Sequence, residues 1–342
     1  MTNRLFVQTN NPAGNQILVH ERAEDGSLTL AETIDTGGVG GRNDGASSDP
    51  LASQGSLVYD AHHGVLIAVN AGSNTVSVLG LDDYHLCLRQ VLASGGTFPV
   101  SVAIHGDLLY VVNAHEAGAI TGYQITDGQF CPIQDSTRSL ELIPVTGPGQ
   151  FLNTPGQIGF TPDGQQLIIT TKRNGSLIDV FAMDTDGRPS DTFVANPAGV
   201  PIPFGFTFDD YNHLVVTDAA TSTLSTYTVH PDGHIKPIAS QSDGGSAMCW
   251  VAHTAGNFYV TDNGSRTVTG YRIDQAGTPA VFTQVETRDG PIDLVGTQDG
   301  NFLYVEVGTV GGIDGFRVKP DGTLTQIVTL TGPDGLEGIA VT

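Results

Sequence analysis

The chain has 342 residues, of which 15% are charged and 39% apolar, with 44 Gly and 18 Pro, a globular and turn-rich composition. Fourteen Lys plus Arg face 36 Asp plus Glu, a formal charge of −22 that argues against nucleic acid and anionic membranes, both of which need a basic surface. Cys87, Cys131 and Cys249 are widely spaced and lack CxxC, so neither a disulfide framework nor a zinc site follows, and no apolar run reaches the roughly 18–20 residues of a bilayer span.

In chain order, "MTNRLFVQTN" has no apolar leader core or cleavage site and reads as an uncleaved cytoplasmic start. Three alternating strands follow, "RLFVQTN", "QILVHER" and "SLTLAETI". The long stretch from Asp35 to Gly55, "DTGGVGGRNDGASSDPLASQG", then carries Arg42, Asn43 and Asp44 among glycines. Such a loop can cradle an anion through backbone N–H groups or serve as a flexible lid; without GxxxxGK[ST] it is not a nucleotide loop.

From Gln54 one unit recurs, as in "QGSLVYDAHHGVLIAVNAGSNTVSVLGL", "MCWVAHTAGNFYVTDNGSRTVTGYRI" and "PIDLVGTQDGNFLYVEVGTVGGIDGFRV". Each gives an apolar strand, a Gly turn, a second strand ending in a polar residue, a polar loop, and further alternating strands. Four antiparallel strands every 40–50 residues or so is the pattern of a propeller blade. The units fall near 54–93, 98–137, 155–195, 201–240, 246–286 and 291–330, with an insertion near 138–153. "GLEGIAVT" at the end is a lone first strand, and the N-terminus supplies three strands lacking a first. Residues 1–34 and 336–342 therefore complete one blade together, and the expected fold is a single all-β domain, a seven-bladed β-propeller over 1–342 with no open edge.

Seven inner strands converge on a narrow axis. The positions expected to line it are Ser56, Ser101, Gln157, Gly205, Cys249, Asp293 and Gly338, of which Gln157 and Asp293 exceed the steric demand. The second strands end at Asn70, Asn113, Thr171–Lys172, Asp218, Asp262 and Glu306, on the face where loops from all blades meet. This is the expected ligand mouth. Lys172 and Arg173 are adjacent cations there, facing an arc of carboxylates. Asp218 or Asp262 would act as base, and Lys172, Arg173 or Arg266 would stabilise oxyanion charge. Arg42, Asn70, Asn113, His115, Gln157, Phe204, Cys249 and Asp293 complete the expected substrate-binding set. Trp250 aligns with core positions and reads as packing, whereas Cys249 faces the channel, where it would be a nucleophile only if activated. No cofactor is required; the alternative is a divalent cation on Asp218, Asp262, Glu306 and Asn113.

The repeat, seen in "FTPDGQQLIITT", "GVLIAVNAGSNTVSVL" and "QDGNFLYVEV", resembles that of the lactonase-family seven-bladed propellers, across essentially the whole chain. That family includes propeller-type 6-phosphogluconolactonases and carboxymuconate lactonizing enzymes. "PLASQGSL" and "PVSVAIHGDLLYVVNA" look closest to its uncharacterised bacterial branch. The resemblance implies lactone hydrolysis or isomerisation of a small molecule. It also exposes departures. The family's Pro-His-x-His segment is replaced by Thr154, Pro155, Gly156 and Gln157, and its Gly-Pro-Arg-His segment by Ile202, Pro203, Phe204 and Gly205. Its glutamate corresponds to Asp218, and its Asn-Arg-Gly segment to Asp262, Asn263 and Gly264, with Arg266 beyond. The expected partner is a small-molecule substrate, with no nucleic acid or membrane, and a monomer as the simplest state. A non-catalytic binding platform is the third reading, which an exposed apolar patch would favour.

Overall fold

The alternating segments form strands because each buries one set of side chains against the neighbouring blade, and the Gly-containing turns between them reverse the chain. In the computed structural model, which describes residues 3–82 and 85–342, they build seven sheets. Blade 1 orders Ile339–Val341, Arg4–Gln8, Gln16–Arg22 and Leu28–Asp35, so the last strand of the chain is the innermost of the first blade. Blade 2 runs Leu57–Asp60, Val65–Asn70, Thr75–Leu81 and Leu86–Ala93. Blade 3 runs Pro99–His105, Leu108–Asn113, Ala119–Thr126 and Gln129–Pro132, with Arg138–Ser139 added beside its third strand. Blade 4 comprises Gln157–Phe160, Gln166–Thr170, Leu177–Ala182 and Val194–Pro197; blade 5, Pro203–Phe208, Leu214–Asp218, Thr223–Val229 and Ile235–Ser242. Blade 6 comprises Met248–Thr254, Asn257–Asp262, Thr267–Ile273 and Pro279–Glu286; blade 7, Pro291–Gly296, Phe302–Val307, Ile313–Val318 and Leu324–Leu330. All neighbouring strands are antiparallel. The seven-bladed propeller expected from the repeat, closed by its two chain ends, is the fold.

The first strands touch one another in sequence around the axis, and the last strands face outward. Packing is between blades. Phe6, Ile17 and Val19 of blade 1, for example, lie in one cluster with Leu57, Leu66 and Leu79 of blade 2. A recurrent polar tie accompanies it. Gly187, Gly233, Gly277 and Gly322 have positive φ in the outer turns of blades 4 to 7, and each carbonyl accepts a bond from the preceding blade. The donors are Tyr110 Oη at 2.7 Å, Asn196 Nδ2 at 2.9 Å, Thr226 Oγ1 at 2.5 Å and Tyr259 Oη at 2.7 Å. Tyr304 does the same for Gly26 across the closing interface.

Two features place the site. First, the inner strands of blades 3, 5, 6 and 7 change register near their entry, at Pro99/Ser101, Pro203/Phe206, Met248/Trp250 and Pro291/Leu294. Such bulges re-aim side chains, here those of Phe204, Cys249 and Asp293. Second, the segment Ala46–Gln54 turns into the axis and plugs it.

Candidate functional site

Inner-strand positions are small because neighbours leave no room. A Cβ on Gly205 would lie 2.7 Å from the Cys249 carbonyl oxygen and 2.1 Å from Gln54 Oε1; one on Gly338 would lie 2.3 Å from Ser56 Oγ. The plug fills what remains. Gln54 N–H donates to the Gly156 carbonyl, its Nε2 donates to the Val251 carbonyl at 2.7 Å, and its Oε1 accepts Val251 N–H. Ser53 Oγ donates to the Val100 carbonyl, and Trp250 Nε1 donates to the Ser53 carbonyl at 3.0 Å. The expectation of a lid or an anion cradle for this loop is therefore corrected. Its N–H groups are committed internally: Asn43 N–H to the Pro50 carbonyl, Leu51 N–H to Glu337, Ala52 N–H to Asp49.

Beside the plug lies a cavity of about 200 Å3, walled by Asp49, Ala52, Phe151, Lys172, Ile202, Phe204, Cys249 and Trp250. Lys172 is buried and has positive φ. Its Nζ donates to the carbonyls of Ala52 and Phe151, both at 2.6 Å, and to Thr154 Oγ1 at 2.9 Å, and lies 5.3 Å from the Phe204 ring centre. Burial pulls its amine down to about 7, opposed by Asp49, Cys249 and Glu337. Asp49 and Glu337 form a buried carboxyl pair. Burial raises both, and the charge of Asp49 raises Glu337 further. Glu306, also raised by burial, accepts Gly338 N–H through Oε2, while its Oε1 has no partner. Asp293 is pushed up to about 7 by burial, with Leu294 N–H opposing and Asp49 adding to the rise. Four carboxyls thus share the axis with one amine.

Asp293 and Gln157 line a second chamber of about 280 Å3 on the far side of Gln54. Gln157 is pinned to the Phe206 backbone by both amide atoms.

The remaining expected residues lie elsewhere. Asp218 is corrected from base to structural anchor: Oδ2 accepts Ile202 N–H at 2.6 Å, and Oδ1 accepts the N–H and hydroxyl of Thr221. Asp262 is pushed up to about 9 by burial and by Asp243, so it is a neutral acid at pH 7 and no base. Asn70 spends both amide atoms on Asn15, Thr36 and Ser77, and Asn113 donates to the Ser94 carbonyl. Arg173 is exposed, and Arg266, also exposed, pairs with Asp289 at 3.0 Å. Arg42 is turned onto its own loop, donating to the Ala46 and Ser47 carbonyls. His115 stacks on Phe98, with centroids 4.1 Å apart, and its Nε2 lies 2.9 Å from Asn43 Oδ1, beside a different pocket near the 143–154 segment. Cys249 lines the cavity, but burial raises its thiol well above the usual range, so it is not a thiolate.

The alternative cation set is also corrected. Asp218, Asp262 and Glu306 are not brought together: among the described residues the sole trio of His, Cys, Asp or Glu with ligand atoms within 4.8 Å is His62, His63 and Asp107. Asp49 and Glu337 escaped the sequence reading. Asp49 looked like any loop acid, and only its place in the segment that precedes an inner strand pointed inward.

These geometries define a propeller with an axial, plugged site. No protein-family model matches the chain, and no curated protein matches it. Solved structures do. A candidate 6-phosphogluconolactonase from Bacteroides fragilis superposes with a TM-score of 0.74 at 16% identity, over 100% of this chain and 98% of that one. A second, from Bacteroides uniformis, gives 0.76 at 16% identity, with both chains covered completely. The periplasmic gluconolactonase of Pseudomonas aeruginosa gives 0.76 at 15% identity, over 100% and 99%. Likeness at these identities is likeness of fold. No helix among the described residues is long and apolar enough to cross a membrane.

Proposed function

We propose that this chain is a lactonase-like enzyme that hydrolyses or isomerises a small lactone or related carbonyl compound in the Lys172 cavity. The observation that carries the reading is a buried amine near neutrality beside a raised carboxyl, in a cavity whose other walls are mainly apolar, with Ser47, Ser48 and Asn263 as its further polar residues. At about 200 Å3 it suits a ligand smaller than those of the roughly 300–1,000 Å3 sites that hold drug-sized molecules. Arginine is absent from its walls, which favours an uncharged substrate over a phosphorylated one.

In hydrolysis Asp49 takes a proton from water as the water oxygen attacks the ring carbonyl. The Lys172 ammonium, giving up one of its present acceptors, stabilises the oxyanion. The ring C–O bond then breaks and the alkoxide takes the proton that Asp49 removed from water, giving the open hydroxy acid and restoring Asp49. Activity requires Asp49 ionised and Lys172 protonated, so it should fall on the acid side as Asp49 gains its proton and above about pH 7 as Lys172 loses its own. A cytoplasmic setting belongs to the same proposal, and fractionation tests it.

The test is acid release over a panel of γ- and δ-lactones. Lys172→Met and Asp49→Asn should each lose turnover by at least a hundredfold, while Asp262→Asn keeps it. Silence across the panel would overturn hydrolysis. Full turnover in both cavity variants would overturn the site.

A further inference from the structure

On the face opposite the Lys172 cavity, the turn between the first two strands of blade 2 reads Asp60-Ala61-His62-His63-Gly64, and the matching turn of blade 3 carries Asp107. The two turns meet. One ring nitrogen from each histidine and one Asp107 oxygen all lie within 4.8 Å of one another. Asp60 Oδ2 accepts the backbone N–H of His63 at 2.8 Å and lies 2.7 Å from its Nδ1. That contact orients the ring so that Nε2 faces Asp107 Oδ1, 3.1 Å away.

A ring nitrogen and a carboxylate oxygen at that separation can bind one metal ion between them. The distance suits a shared metal, because ligands about 2.0–2.1 Å from a tetrahedral zinc stand roughly 3.3 Å apart. The His62 and His63 rings are 4.6 Å apart and nearly perpendicular at 86°, so the second imidazole approaches from its own direction rather than stacking. Asp60 stands behind His63 as carboxylates do behind metal-bound imidazoles, setting tautomer and orientation.

We propose that His62, His63 and Asp107 form a divalent transition-metal site that staples blades 2 and 3, with Asp60 as the positioning residue. Two imidazoles and a carboxylate select zinc, cobalt, nickel or copper over calcium or magnesium, which prefer all-oxygen shells. The exposed His62 and Asp107 leave the remaining position to water.

The experiment titrates the full-length protein with Zn2+ by calorimetry and with Co2+ by visible absorption. One equivalent should bind, with tetrahedral-type cobalt bands and a rise in unfolding midpoint that scales with Zn2+ concentration. His62→Ala and Asp107→Asn, both on exposed side chains, should each weaken binding at least tenfold with unchanged circular dichroism. Asp60→Asn should weaken it by roughly 10- to 100-fold, as loss of an outer-shell partner does. Absence of binding at millimolar Zn2+ would overturn the proposal and leave the His63–Asp107 contact as a plain hydrogen bond. Binding that is indifferent to His62→Ala and Asp107→Asn would overturn it equally, by placing the ion elsewhere.

Discussion

Replacing Asp262 with Asn tests whether this strand-end acid is a neutral buried group or an ionised base. Its Oδ1 has no donor, its Oδ2 accepts Thr269 Oγ1 at 3.3 Å, and Asp243 Oδ2 beside it is likewise unpartnered. Burial first and Asp243 second push the group from 3.8 to about 9. The raised folded value means that the native state holds a proton the unfolded chain releases. The group therefore costs nothing below about pH 3.8, and stability falls by about 1.4 kcal/mol per pH unit from there to about pH 9. Between pH 5 and pH 8 that is on the order of 4 kcal/mol, a large share of a typical 5–15 kcal/mol stability. The Asn variant cannot ionise, and its amide can donate to Asp243. Urea unfolding of both proteins should thus show a stability difference that moves by about 4 kcal/mol in favour of Asp262→Asn from pH 5 to pH 8. Parallel pH curves would refute the reasoning and return Asp262 to the list of ionised acids.

Arg288 closes a second acid at the blade 6–7 junction: its Nε donates to Asp314 Oδ1 at 2.7 Å and its backbone N–H to Oδ2, with Asp314 fully buried. Arg288→Met should destabilise by about 3 kcal/mol in denaturant unfolding, because it strands a buried carboxylate, and adding Asp314→Asn should recover much of the loss. Trp250→Phe removes the donor to the Ser53 carbonyl and should cost about 1–3 kcal/mol, with faster proteolysis within Ala46–Gln54 as the plug loosens. Trp250 is the single tryptophan and walls the cavity, so an occupying lactone should shift the intrinsic emission of the unmodified protein.

The propeller was legible because its signals are local and repeated. Gly turns, period-two strands and polar strand ends recur, and the orphan strand "GLEGIAVT" has one way to be used. The ring of small inner residues was legible too, since steric demand at the axis is a property of the fold and not of the ligand. The strand-end ring misled for a physical reason. Asn70, Asp218 and Asp262 occupy equivalent positions, where the chain leaves a strand and exposes backbone donors. A side chain that caps that exit and one that does chemistry there must both be polar. Only the bond partners separate Asp218, with both oxygens engaged, from Asp262, left to keep its proton. The plug was illegible because "ASSDPLASQ" has no periodicity, and nothing in its composition says that it turns inward rather than outward.

The plug also accounts for the unusual acidity of the interior. Seven blades closing around small side chains leave an axial void, and this chain fills it with its own backbone rather than with large inner-strand residues. That choice drags Asp49 off the surface and sets it against Glu306 and Asp293, from the second and inner strands of blade 7, and Glu337, just before the inner strand of blade 1. One buried cation, Lys172, cannot neutralise four carboxyls, so protons must make up the difference. Burial lowers the Lys172 amine and raises the Asp293 carboxyl, each to about 7, so these two groups change protonation in the same range. Under the proposed function, the pairing of Lys172 with Asp49 is therefore a consequence of how the ring is closed.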